Sequence, residues 1–263
     1  MSQTKTLPDA NQRLNQALIL WGVFMVAALL INGTVPFILG RDMHAWTASP
    51  IKDLLFGVVT YSGLYLVAPL LLTKKWETVR QPAFWLPLAL AILAMALRTY
   101  LRPVAVIAVL VIAYLHWRYN LSDLGFRSRG WRGDLLAILL MGLIGSARLF
   151  LSSDPFVFAP GVAFVSMLDR LFANPASTTE NLFYFGFLAE RLSGKLGRWW
   201  TPLLIGLMYM AHEMTNPEYW YEGVFFPTIF IGVALFTLIY LWRRSVIVIW
   251  LGDGLGKFLS KLF

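Results

Sequence analysis

The sequence predicts an all-α fold, a polytopic integral membrane bundle of about eight or nine transmembrane or half-inserted helices. Three observations carry that expectation. Hydrophobic residues make up 58% of the 263-residue chain, and its mean hydropathy is +0.65. Only 14% of the residues are charged, against about 25% in a soluble domain of this size. The apolar runs are continuous, as in Ala17 to Ile31 and Pro103 to Leu115, and they approach or exceed the roughly 20 residues that cross a bilayer core. Continuous runs exclude a membrane barrel, whose strands alternate apolar and polar side chains.

Taken in order, spans are expected at 17–39, 53–73, 82–97, 103–116, 134–150, 177–192, 201–213, 225–242 and 245–259. The shorter ones can tilt, insert half-way or shelter behind neighbours. The first run follows Lys5 and Arg13 as in a signal peptide, but its length and the lack of a small-residue cleavage site predict a retained span. Between 155 and 175, Pro155, Pro160 and Pro175 predict an irregular stretch with room for a short surface helix. Residues 118–133, RYNLSDLGFRSRGWRG, form the main polar connection. They divide N-terminal transmembrane helices (1–120) from a C-terminal core (121–263) that holds nearly all the unusual polar residues.

The net charge of +8 does not point to nucleic acid in so apolar a chain. Lys and Arg at span ends fit the positive-inside bias and attraction to anionic headgroups. With the N-terminus inside, 14 of the 22 Lys and Arg residues fall on the inner side, which predicts a cytoplasmic N-terminus. Trp and Tyr gather at the expected interfaces, as in Trp199–Trp200 and Tyr219–Trp220–Tyr221. There are no cysteines, so thiolate nucleophiles, disulfides and Cys-ligated metals are excluded.

Glu180, His212 and Asp253 lie inside or at the end of three different apolar runs, at a shared predicted depth. An ionisable group in hydrocarbon costs from about 3 to more than 10 kcal/mol, so it normally faces a partner or a polar cavity. One common site is therefore expected. Each residue also has a plainer reading. Glu180 could favour its helix start through the dipole, and His212 could be an interfacial residue at a helix end. Asp253 could pair with Lys257 one turn on, while Gly252, Gly254 and Gly256 around it suggest close helix packing. Arg148 is either a positive partner for Glu180 or a snorkelling residue.

Three stretches of the back half resemble the CAAX protease and bacteriocin-processing (CPBP) family of membrane peptidases, which includes the type II CAAX prenyl endopeptidases. Residues 180–188, ENLFYFGFL, are similar to its first motif, EExxxRGxL in outline. Residues 204–212, LIGLMYMAH, are similar to the second, with a Phe four residues before its His. Residues 230–257 are similar to the third region, which runs Phe-x-Gly, then Tyr, Arg and Ser, then His and an Asn four residues later. LSDLGFR, at 121–127, is similar to the family's entry into this domain.

The departures from that outline are definite. Asn181 stands for the second Glu, Phe185 for the Arg, Met208 for the Phe, Asp253 for the third-motif His and Lys257 for its Asn. The resemblance implies that the first Glu activates a water for attack on an amide while His residues assist. Glu180, His212 and Asp253 are thus the candidate catalytic residues, and the same three are candidate ligands of a divalent metal, since carboxylate and imidazole both suit one. Asp253 could instead orient His212. The sequence assigns no definite cofactor, and a divalent metal is the one candidate.

Two functions follow. The leading expectation is a non-catalytic member of the fold, a scaffold or accessory subunit that binds the bilayer and other membrane proteins. The alternative is an active intramembrane endopeptidase using Glu180 and His212, with Asp253 in place of the family His. The resemblance implies a bacterial inner (plasma) membrane as the location.

Overall fold

The computed structural model describes residues 10–40, 49–61, 75–82, 84–86, 125–146, 158–173, 180–216, 219–220 and 225–262, with the single positions 42, 46, 67, 70, 88, 89, 93 and 122. Among the described residues every regular element is helical and none is a strand. The span expected at 103–116, most of that at 82–97, and Arg148 lie outside them.

Seven α-helices with defined bounds are described, besides a short 3-10 helix over Trp76–Arg80. Helix α1 (Ala10–Leu29) runs on through a wider π-wound turn (Leu30–Thr34) into Val35–Ile38. Helix α2 covers Pro50–Tyr61, α3 Trp131–Ser146, and α4 Pro160–Leu168, extended by a π-wound turn over Asp169–Ala173. A π-wound segment (Leu182–Ala189) leads without a break into α5 (Glu190–Glu213). Helices α6 (Phe225–Arg243) and α7 (Val246–Leu262) complete the chain. Pro160 opens α4, where its missing N–H costs nothing and its fixed φ suits the first turn. Residues 160–173 are therefore more regular than the sequence suggests.

By length and composition, two helices could cross a membrane: Ala10–Ile38 and Phe226–Arg243. Their outward faces are apolar, with Val23, Val26 and Leu29 of α1 and Ile231 of α6 all more than half exposed. The core lies deeper, around the π-wound segment, where all eight residues from Leu182 to Ala189 are buried. It includes Phe24 of α1, Met141 of α3, Ile205 and Met208 of α5, Tyr240 of α6 and Ile249 of α7.

Helix α7 is fitted to its neighbours by absent side chains. A Cβ built on Gly256 would lie 3.0 Å from the Cα of Gly145 on α3, and one on Gly252 would meet Met141. Gly254 faces Leu171 at the end of α4 in the same way. The contacts 141 with 252 and 145 with 256 advance together, so α3 and α7 run parallel. Close approach of small residues is how helices gain packing energy where no water is expelled between them.

A polar cluster ties the starts of α3 and α7 to the end of α6. Glu190 accepts hydrogen bonds from Arg244 (2.7 Å) and Tyr240 (3.2 Å) and pairs with Arg127 (3.0 Å). Asp134 pairs with Arg243 at 2.8 Å and accepts from Ser128 at 2.6 Å. Arg244, with φ of 54°, makes the left-handed turn between α6 and α7. These arginines, which the sequence presents only as a charge bias, are specific structural partners.

Replacing Gly256 by Val should destabilise the folded protein by about 1–3 kcal/mol, since backbone rather than a movable side chain opposes the new atoms. Gly22, with open space around it, is the control. Gly22→Ala should leave thermal stability unchanged or slightly raised. Equal losses in both variants, measured by thermal unfolding in detergent, would refute the close-approach argument.

Candidate functional site

Glu180 stands at the head of the π-wound segment, and His212 and Glu213 close the far end of α5. Between them α5 leaves helical geometry at Gly197 (φ 70°, ψ −174°), which only glycine adopts without strain. The chain folds back there, and α5 returns its last turn to the level of Glu180. The first and second motif-like stretches meet as a result.

Ligand atoms of Glu180, His212 and Glu213 all lie within 4.8 Å of one another. The Tyr209 hydroxyl, one turn before Glu213, donates to Glu180 Oε2 at 2.8 Å and is also within reach of the Glu213 carboxylate. His212 is only 5% exposed. Its ring lies edge-on to Phe24 of α1 (centroids 4.8 Å apart) and nearly parallel to Tyr184 (6.0 Å). Tyr209 and Phe56 stand at 6.0 and 6.3 Å. Its Nδ1 has no hydrogen-bond partner among the described residues.

The end of this helix is pinned to α1. Thr215 donates its hydroxyl to the His212 carbonyl at 2.7 Å and accepts from Asn32 Nδ2 at 2.8 Å. Asn32 lies in the π-wound turn of α1, so the first helix both covers the imidazole, through Phe24, and fixes its backbone.

Asp253 occupies an adjoining position. Its carboxylate Oδ2 receives Arg170 Nε at 2.8 Å and Asn181 Nδ2 at 3.3 Å. Arg170 also lies in the field of Glu180 and Tyr209. The expected trio is thus distributed. Glu180 and His212 share one centre whose third member is Glu213, while Asp253 lies next to it in an ion pair that touches Asn181, the neighbour of Glu180. Lys257, the sequence-level partner of Asp253, is exposed. Phe185 points toward Tyr240 (6.5 Å) and Met208 is core.

The sequence reading passed over three contributors. Glu213 was visible as the neighbour of His212, and Tyr209 as a hydroxyl one turn earlier on the same helix. Arg170 gave no comparable signal, because its partner is 83 residues away.

The chain was compared with protein-family models, curated proteins and solved structures. None matches it.

Chemically, the centre offers two carboxylates, an imidazole and a phenol in a largely dry setting. Glu180, His212 and Glu213 are the described residues able to hold a divalent ion, as a mixed oxygen–nitrogen set. Without an ion, the same groups can accept and return a proton and donate to a developing negative oxygen.

Arg170 and Asp253 should behave as a unit. Arg170→Met alone leaves a mostly buried carboxylate without its cation, a loss of about 1–4 kcal/mol once partial exposure is allowed for. Adding Asp253→Leu should recover most of it. A double variant as unstable as the sum of the single ones, in thermal unfolding, would show that the pair does not interact.

Proposed function

We propose that this chain is a polytopic helical membrane protein of the kind its motifs resemble, and that it hydrolyses peptide bonds at a rewired centre. The convergence of Glu180, His212 and Glu213 within 4.8 Å carries this reading. A second observation bears on the motif departures. Asn181 and Asp253 both replace residues of the family outline, and they hydrogen-bond to each other. Unrelated losses would not be expected to meet. An acid stands at 253 and an amide at 181, and Arg170 pairs with the acid.

In the proposed reaction the Glu180 carboxylate takes a proton from water as the oxygen bonds to the amide carbon. A ring N–H of His212 donates to the oxygen that becomes negative. The C–N bond then breaks, and the proton held by Glu180 passes to the leaving nitrogen, giving a carboxylic acid and an amine. Tyr209, donating to Glu180, fixes which carboxylate oxygen faces the water. The substrate class is a membrane-embedded or lipid-anchored peptide, reached from within the bilayer. The N-terminus and the Glu190 cluster lie on the cytoplasmic side of a bacterial plasma membrane.

The enclosure of His212 by Phe24, Phe56, Tyr184 and Tyr209 favours a second reading. There the centre is a closed polar core, and the protein is an accessory or scaffold subunit that binds other membrane proteins.

Glu180→Gln separates the two. It keeps the side chain's size and one acceptor oxygen for Tyr209 but removes the base. In the peptidase reading, cleavage of a membrane-anchored peptide reporter in proteoliposomes falls at least ~100-fold, with thermal stability near that of the parent. Equal cleavage by parent and variant would falsify the proposed base. A parent that cleaves nothing and co-purifies with a stoichiometric partner would establish the second reading.

A further inference from the structure

At the end of the bundle away from His212, a cleft of about 290 Å³ opens between α3 and α7. Its mouth, at the helix starts, holds Arg127, Ser128 and Asp134 beside Trp131, and Ile138, Ile247 and Leu251 line its apolar sides. Both helices start at the mouth and run parallel. Ile138 lies seven residues past Trp131, about 10 Å along α3. The cleft therefore grades from charged to greasy over the length of a headgroup and the first carbons of an acyl chain.

Charge around the mouth is net positive. Arg127 and Arg244 share the single carboxylate of Glu190, which leaves one positive charge in excess. Asp134 also lines the mouth but is held by Arg243 and Ser128. Arg129 and Arg132, in the segment that follows Ser128, are exposed, as are Lys195 and Arg198 after Glu190. Three arginines at this end lie over Trp rings: Arg132 over Trp131 (5.4 Å), Arg198 over Trp199 (4.9 Å) and Arg243 over Trp242 (5.3 Å). The three Trp residues are exposed, Trp131 by 70%, Trp199 by 67% and Trp242 by 44%. Hydrogen bonds draw their segments together, from Arg129 to the Trp242 carbonyl, from Arg243 to the Gly130 carbonyl and from Arg244 to Ser193. Indole rings favour the headgroup level, and cations there meet lipid phosphates.

We infer that this cleft binds one anionic phospholipid, its phosphate at Arg127 and the upper part of one acyl chain along Ile138, Ile247 and Leu251. The inference rests on the membrane reading above but not on catalysis.

The test uses the full chain purified in mild detergent, with native mass spectrometry after addition of phosphatidylglycerol or phosphatidylcholine. Carbonate extraction of membranes from expressing cells first checks that the chain is membrane-integrated. A chain released by carbonate overturns the membrane reading itself; a retained chain puts only the cleft at issue. One phosphatidylglycerol per chain is expected to persist under activation that strips phosphatidylcholine. Arg127→Gln should weaken its retention about ten-fold, the worth of one charge-assisted contact. Arg127 also supports Glu190, so Leu251→Trp serves as the second variant. It fills the apolar wall at a partly exposed position and should abolish retention while leaving the charge cluster intact. Equal retention of both lipids, or full retention by Leu251→Trp, overturns the inference. So does displacement of the lipid by millimolar glycerol phosphate, which would reduce the cleft to an anion site with no use for a chain.

Discussion

The close approach of α7 to α3 and to the end of α4 governs the back half of the molecule. Gly252 and Gly256 bring α7 against Met141 and Gly145, and Gly254 admits Leu171. A helix gripped on those sides has few directions left for residue 253. Asp253 is delivered to Arg170, the neighbour of Leu171 on that gripping edge, and to Asn181. The Trp250 indole, donating to the Leu171 carbonyl at 2.9 Å, holds the same edge from one turn earlier. Backbone proximity thus sets the electrostatics, and a bulkier face would move the aspartate away from its cation.

Two polar groupings divide the bundle lengthwise. Glu190, with Arg127, Arg244 and Tyr240, closes one end. Glu180, Glu213, His212 and Tyr209 lie at the other end of the helical path that joins them. The first satisfies each carboxylate with cations and turns the chain tightly between α6 and α7. The second brings two acids together with Arg170 and Lys52 close by, and leaves an imidazole nitrogen without a partner among the described residues. Charge that is fully matched stabilises a fold at best modestly. Charge left partly unmatched in a dry place is the more usual companion of chemistry.

Much of this was legible beforehand for stated reasons. A chain so short of charge, with unbroken apolar runs, has helices as its economical solution, and its described elements are helical. The glycines around Asp253 announced a packing face because alternating glycines leave no side chain to pack. The meeting of Glu180 with His212 was suggested by the cost of leaving either alone. What could not be read was register. The π-wound segment turns each residue less than an α-helix does, so which side chains line up with Glu180 does not follow from the usual three- and four-residue spacing. Arg170 was hidden differently, because a contact across 83 residues leaves no local mark.

The wide winding from Leu182 to Ala189 has a consequence for how the chain tolerates change in length. A helix with about one surplus residue per turn can lose one and tighten to the ordinary α form, so a single deletion there need not break the element. It would instead rotate everything upstream relative to α5, by less than the ~100° of one α-helical residue because the tighter winding offsets part of the loss. Glu180 would swing off Tyr209 while the buried aromatic body of the segment stayed largely filled. The segment thus acts as a length reserve whose exhaustion silences the acid without dismantling the bundle.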